Sequence, residues 1–327
     1  MRSLPTCAAL ALVVWLVAPT PRAPVSRCAR AESAAPRESE AAACGRCHVE
    51  DFREWKASAH ANAWTDPVYQ RALVGKPRPE LCHGCHIPSD VSKRLGKRPD
   101  ARKVALEDGV HCVACHRSGA TMLGPFGSTT DAHPSEKDPA FSAPGANALC
   151  ASCHATKIGP VLPLARDFEA AGVGERGKSC IGCHMPERTR PIAFDPVTGR
   201  PTGSSRATRS HAMRGPGDAE FCATAFDVAV RRSGEEIVIT ITNAAGHRVP
   251  GLVGRKFLVR ARQLDDSDRE VRKQDGTEIS SDNELRCRET REVRFLAASG
   301  MSSIEVTIEH HASDKPVATI LQKAWRP

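Results

Sequence analysis

Apolar and polar residues alternate regularly in only one part of this 327-residue chain. Between residues 222 and 327, short apolar or alternating runs at 226–230, 237–242, 257–262, 293–295 and 304–308 are separated by turn-forming stretches such as Arg232-Ser233-Gly234 and Asp265-Asp266-Ser267-Asp268. Ile237, Ile239 and Ile241 fall on one face, with Val238, Thr240 and Thr242 on the other, which is the period of a half-buried strand. The pattern predicts a small antiparallel β-sandwich of immunoglobulin-like type. Residues 44–215 are rich in Gly, Pro, Ala and His and show few long apolar periodicities. They predict short helices and irregular loops, the clearest being a helix over 50–64 with Phe52 and Trp55 on one face and His60 on another. At the start, Arg2, an apolar run at 7–18 and Ala29-Arg30-Ala31 have the form of a cleaved export signal. That run, about 12 residues, is well short of the ~20 needed to span a bilayer, and no other membrane segment is expected. A lipid anchor on Cys28 is the competing reading, and Arg27 directly before it fits poorly. The expected organisation is a signal peptide at 1–31, a linker at 32–43, a mostly irregular and helical domain at 44–215, and the β-sandwich at 222–327.

A polypeptide as poor in apolar periodicity as 44–215 needs another core, and its cysteines supply the candidate. Five copies of Cys-x-x-Cys-His occur: Cys44 and Cys47 with His48, Cys82 and Cys85 with His86, Cys112 and Cys115 with His116, Cys150 and Cys153 with His154, and Cys180 and Cys183 with His184. Each has the form of a c-type haem attachment site, in which two thiols form thioethers to the porphyrin and the adjacent imidazole reaches the iron. Structural zinc explains the pattern less well, because five half-sites do not pair into whole ones and zinc does not require a histidine after every second cysteine. Disulfides within each motif would leave the histidines unexplained. Five porphyrins would then form the core of the first domain, which is consistent with only 4% aromatic residues. The motif starts are separated by 38, 30, 38 and 30 residues, an alternation that duplication of a two-haem unit would produce. Cys222 and Cys287 are the cysteines beyond residue 31 that lie outside the motifs, and either a disulfide or two independent thiols fits them.

Charge changes the picture less than its formal value suggests. Of the net +8, Arg2, Arg22, Arg27 and Arg30 leave with the signal, so the mature polypeptide is near about +4, and each haem contributes about −1 when ferric and about −2 when ferrous. The holoprotein is then near neutral when oxidised and acidic when reduced. A nucleic-acid partner is not implied. Arginines and lysines near the haems suit propionates or a negatively charged redox partner, the donor and acceptor being unspecified.

After the five proximal histidines, eight remain: His60, His83, His111, His133, His211, His247, His310 and His311. His60 lies 12 residues after His48, rotated by about 120° on a helix, so it would reach a neighbouring haem rather than that of His48. His83 and His111 sit in or beside motifs, where the backbone restricts their reach. His310 and His311 end a predicted strand and are expected in solvent. Cys44-x-x-Cys47-His48 followed by Trp55, Ser58, His60 and Ala61, then Gly109-Val110-x-Cys112-x-x-Cys115-His116, then Cys183-His184-Met185-Pro186, resembles the cytochrome c-554 family of multihaem cytochromes. The resemblance covers roughly 44–215. It implies an exported electron carrier with closely packed haems, most held by two histidines, with His60 and His211 as distal ligands and His133 at a less fixed position. His247, in Gly246-His247-Arg248-Val249-Pro250, resembles a turn in β-domains that trail multihaem regions; it is either a haem cap or a turn residue. This chain departs from the family's founding members in having five motifs rather than four and a β-domain after them.

Two functions are compatible with these residues. If every iron has two histidines, the protein conducts single electrons along stacked haems. If one iron lacks its distal ligand, that haem is a candidate site for nitrite or hydroxylamine chemistry. No Cys-x-x-Cys-Lys motif is present, and the single tyrosine, Tyr69, is in no motif resembling a haem-crosslinked tyrosine. Conduction is the favoured expectation. Intact mass and a pyridine haemochrome assay on mature protein should show five covalent haems on a chain starting near Glu32; four or fewer would contradict the motif reading.

Overall fold

The computed structural model describes residues 39–128, 130–312 and 315–326. The expected signal peptide and the first residues of the expected linker lie outside the described residues. In the first part of the chain the helices are short and built around the motifs. They are α1 (Glu40–Gly45), α2 (Val49–Lys56), α3 (Pro67–Leu73), α4 (Glu80–His86), α5 (Cys112–His116), α6 (Ala146–His154), α7 (Leu164–Ala170), α8 (Cys180–His184) and α9 (Ala219–Ala223). Four of them, α4, α5, α6 and α8, end on a motif histidine. Positions i, i+3 and i+4 share one helix face, so a single turn presents both cysteines and the histidine to the same side. The first motif achieves this across a break: α1 stops at Gly45, His48 stands at the start of α2, and the His48 amide donates to the Cys44 carbonyl at 2.9 Å.

Local chemistry sets where these helices begin and end. Ser39 caps α1 by accepting from the Ala42 amide, Asp66 caps α3 by accepting from Val68 and Tyr69, and Ser179 caps α8 by accepting from Gly182. The helix expected over 50–64 ends at Lys56. Beyond it, the Ser58 amide bonds to the Trp55 carbonyl at 2.8 Å and Asn62 Nδ2 to the Ser58 carbonyl at 2.9 Å. Such local bonds compete with the helical ladder and turn 57–65 into a series of tight turns. Two small sheets interleave with the helices. β1 (Arg117–Ser118) and β2 (Thr121–Gly124) form an antiparallel pair, with β3 (Ser135–Lys137) parallel to β2, and β4 (Glu187–Arg190) pairs antiparallel with β5 (Arg206–Arg209). Their alternation is too short to be visible in the sequence.

The remainder is antiparallel: β6 (Phe226–Ser233), β7 (Glu236–Asn243), β8 (Arg255–Leu264), β9 (Glu270–Ile279), β10 (Thr290–Leu296), β11 (Ser303–Ala312) and β12 (Lys315–Trp325). They form a three-stranded sheet, β10-β7-β6, and a four-stranded sheet, β12-β11-β8-β9. Ile237, Ile239 and Ile241 of the first sheet share one core with Val259, Ala261, Ile304, Val306 and Ile308 of the second. The alternation locates five of the seven strands. β9 is missed because it is dominated by charged and polar residues, and β12 because only Ile320 of its residues is buried. His310 and His311 are buried rather than solvated: β11 is an inner strand between β8 and β12, and His310 packs 5.2 Å from Phe257. Cys222 and Cys287 are free thiols, Cys222 donating to the Gly215 carbonyl. Among the described residues no helix is long and apolar enough to cross a membrane.

Ile239 is fully buried in the shared core. Ile239→Ala should destabilise the protein by about 2–5 kcal/mol through lost apolar burial and the cavity left behind, read as a lower midpoint in thermal unfolding.

Candidate metal centres

All thirteen histidines lie within the described residues, and eight of them are brought together in four pairs. His48 faces His133 with ring centres 6.2 Å apart, His60 faces His154 at 6.2 Å, His116 faces His211 at 6.1 Å, and His184 faces His247 at 6.2 Å. Each pair joins one motif histidine to one histidine from outside the motifs. A metal–imidazole bond of about 2 Å plus about 1.1 Å from nitrogen to ring centre, taken twice, is about 6.2 Å. Four pairs therefore have the spacing of two imidazoles on opposite sides of one iron, and each carries a motif thiol pair beside it. The residues present fit haem c.

Hydrogen bonds orient the rings. Nδ1 donates to a backbone carbonyl from His48 (Ile192, 2.9 Å), His86 (Ala63, 2.6 Å), His116 (Leu123, 2.8 Å), His184 (Arg214, 2.6 Å) and His247 (Arg248, 2.8 Å). A carbonyl only accepts, so the proton is on Nδ1 and Nε2 keeps its lone pair for a metal. His133 Nδ1 bonds to Ser135 Oγ at 3.0 Å, and His60 Nδ1 lies against Met213 Sδ. Burial, reinforced by His154 and His184, pushes the His60 imidazole down to about 4, and burial with His211 does the same to His116. Both rings are neutral at physiological pH, the form that binds iron.

The positions of the non-motif histidines follow from specific packing. Trp55 on α2 is buried and donates from Nε1 to the Val110 carbonyl at 2.7 Å. The Val110 amide in turn donates to the His60 carbonyl at 2.8 Å. Gly109 has φ +56°, and a side-chain carbon there would lie 2.3 Å from the His60 carbonyl oxygen, so only glycine permits this approach. Trp55, Gly109 and Val110 thus fix His60 from two directions. His247 is held from the sandwich: Asn243 Nδ2 donates to its carbonyl at 2.9 Å, and Arg248 bridges Asp167 on α7 and Glu284. Gly246 packs so closely on Phe168 that a side-chain carbon would lie 2.8 Å from its ring. His247 is therefore a turn residue that also faces His184.

His211 has a different setting. Its Nδ1 lies 3.1 Å from both the Arg209 carbonyl and Asp51 Oδ1, and its amide donates to Glu54 Oε2 at 2.8 Å. Asp51, Glu54 and His211 offer ligand atoms within 4.8 Å of one another. The Arg190 guanidinium occupies this cluster, pairing with Asp51 at 2.5 Å and Glu54 at 2.8 Å.

His86 faces no histidine at the paired spacing among the described residues. Its ring stacks on Tyr69, with centres 3.6 Å apart and planes 8° from parallel. The Tyr69 hydroxyl is buried without a hydrogen-bond partner among the described residues, and burial, with Cys82 and Cys85 nearby, pushes it up. The sequence carried no signal for this contact, since Tyr69 lies on a separate helix 17 residues before His86. His83 stands edge-on to Trp64 at 5.2 Å, and His111 is buried with Nε2 3.8 Å from Glu40.

Cysteine contacts show how the motifs adjoin. Cys44 lies beside Cys112, Cys85 beside Cys153 and Cys150 beside Cys180, and Cys115 lies close to both Cys150 and Cys153. The first motif meets the third, and the fourth meets the second, third and fifth. Two of these contacts join motifs two apart, so the 68-residue period formed by successive intervals of 38 and 30 has a spatial counterpart.

No curated protein matches the chain. Among solved structures, a penta-haem cytochrome c552 from Thermochromatium tepidum is similar over 89% of this chain and 99% of that one, with a TM-score of 0.63 and 19% identity, which establishes a shared fold. Residues 43–117, which contain the first three motifs together with Trp55, His60 and Gly109, match the family described as cytochrome c554 and c-prime. That segment is therefore similar to the cytochrome c554 family, and the chain as a whole shares the fold of a penta-haem cytochrome.

Proposed function

We propose that this chain is an exported pentahaem electron carrier in which four haems are held by two histidines each. The proposed haem–ligand assignments are His48 with His133, His116 with His211, His154 with His60, and His184 with His247, each haem being attached through the cysteines of its own motif. The four imidazole pairs at 6.1–6.2 Å are the observation that carries this reading. Two neutral nitrogen ligands keep iron low-spin with little rearrangement on reduction, which suits one-electron transfer. Cysteine contacts support an order in which the first haem passes electrons to the third, the third to the fourth, and the fourth to the second and fifth. The sandwich strands form a second domain that lends His247 to the fifth haem. The solved relative's description as a penta-haem cytochrome supports the count of five. The expected export signal supports a periplasmic location, where electron donor and acceptor proteins would meet it.

A second reading, nitrogen-oxide chemistry at one haem, is favoured by a specific observation: His86 stacks on Tyr69 and faces no other histidine at the paired spacing. On this reading the haem of Cys82 and Cys85 has an accessible sixth position, and the other four supply it with electrons. Steady-state reduction of nitrite or hydroxylamine by a strong reductant, lost on cyanide binding at that haem, would decide for it. Conduction alone predicts no turnover.

His60→Ala should convert the haem of Cys150 and Cys153 from low-spin to high-spin and add about one equivalent of rapid cyanide binding, leaving the other spectra unchanged. Low-temperature electron paramagnetic resonance reads the change. An unaltered low-spin intensity would remove His60 from the ligand set.

A further inference from the structure

Across the proposed axial histidines, Nδ1 meets backbone carbonyls, a hydroxyl or a sulfur, and in one case a carboxylate. Five donate to backbone carbonyls, His133 meets a serine hydroxyl and His60 a methionine sulfur, whereas His211 Nδ1 lies 3.1 Å from both the Arg209 carbonyl and the Asp51 carboxylate. No other axial imidazole has a carboxylate partner among the described residues. The contact is built rather than incidental. Asp51 and Glu54 project from successive turns of α2, Arg190 ends β4, and His211 follows β5, so a helix and a two-stranded ribbon are joined at this point. Arg190 is 12% exposed, Asp51 and Glu54 each 19%, and His211 23%, so water screens these charges only partly.

We propose that Asp51 is a positioning residue that sets the potential of the haem of Cys112 and Cys115, acting through His211, with Arg190 limiting its effect. This inference rests on the reading of His116 and His211 as the axial pair. A carboxylate accepting from Nδ1–H gives the imidazole more anionic character and makes it a stronger donor to iron. The ferric state gains more from that donation than the ferrous state, so the potential of this haem is lowered relative to the same haem with a neutral partner. The fixed negative charge acts in the same direction. Arg190 opposes both effects by sharing the carboxylate. In the proposed order this haem lies between the first and the fourth, so its potential sets the direction of flow between the two ends of the array.

The experiment compares holoprotein variants by potentiometric titration with electron paramagnetic resonance detection of each haem. Asp51→Asn keeps the shape and removes the charge; it should raise one haem potential by about tenfold in the reduction equilibrium, ~59 mV for one electron. Arg190→Gln should move the same haem the opposite way. His211→Met identifies that haem by changing the same spectral component. If Asp51 served only to hold the ribbon on the helix, the two charge variants would loosen the same contact and shift the haem in the same sense, and that result would overturn the proposal. Unchanged potentials in Asp51→Asn would also overturn it, while a spectral change in His211→Met would leave the axial assignment standing. A His211→Met variant with no spectral change would remove the axial pair and the proposal together.

Discussion

The proposed haem arrangement depends on one distance, the roughly 6.2 Å that two imidazoles must keep to share an iron. In each pair the ring from a motif is fixed by its motif's backbone turn, while its partner comes from a segment up to 95 residues away in sequence, as with His116 and His211. The fold meets the constraint without a large apolar core in this half of the chain. It uses backbone carbonyls that hold Nδ1, glycines that permit close backbone approach, and ion pairs such as Arg248 with Asp167 that tie one element to the next. Each carbonyl contact also selects the tautomer that leaves Nε2 available. Under the proposed assignment the same few hydrogen bonds serve folding and coordination, and a residue such as Trp55 acts on His60 only through the backbone of Val110.

The β-sandwich has a different physical basis. Its isoleucine and valine core is self-sufficient, built from two sheets whose inward faces are closed to solvent. Its link to the proposed metal centres is a turn, with Asn243 holding the His247 carbonyl and Arg248 and Gly246 packing on Asp167 and Phe168 of α7. On the proposed assignment, a stable sheet gives His247 a rigid support. At the opposite extreme stands His86, which is held by the Ala63 carbonyl and flanked by Tyr69.

Much of this was legible in the sequence, for reasons that differ by region. The motifs are legible because thioether chemistry demands fixed spacing, and the strands around Ile237, Val259 and Ile304 because one buried face imposes period two. The non-motif histidines His60, His133, His211 and His247 could be singled out, but not matched to their partners, since pairing is set by contacts distant in sequence. The length of α2 was overestimated because Ser58 and Asn62 bond locally to the backbone. His310 and His311 were misplaced because a strand end in sequence lies in the middle of a sheet in space. Strand β9 carries too few apolar residues to register, and the apolar residues of β12 do not alternate, with only Ile320 buried. Tyr69 and Asp51 left no trace, since each acquires its role only by touching a histidine from another element.

The central claim is the count of axial pairs, and near-infrared magnetic circular dichroism of the oxidised holoprotein tests it most directly, because its charge-transfer bands report the ligands of each low-spin iron. The account predicts bis-histidine intensity equal to four haems and a separate signal from the haem of Cys82, Cys85 and His86. Bis-histidine intensity equal to five haems, or to three or fewer, would contradict it.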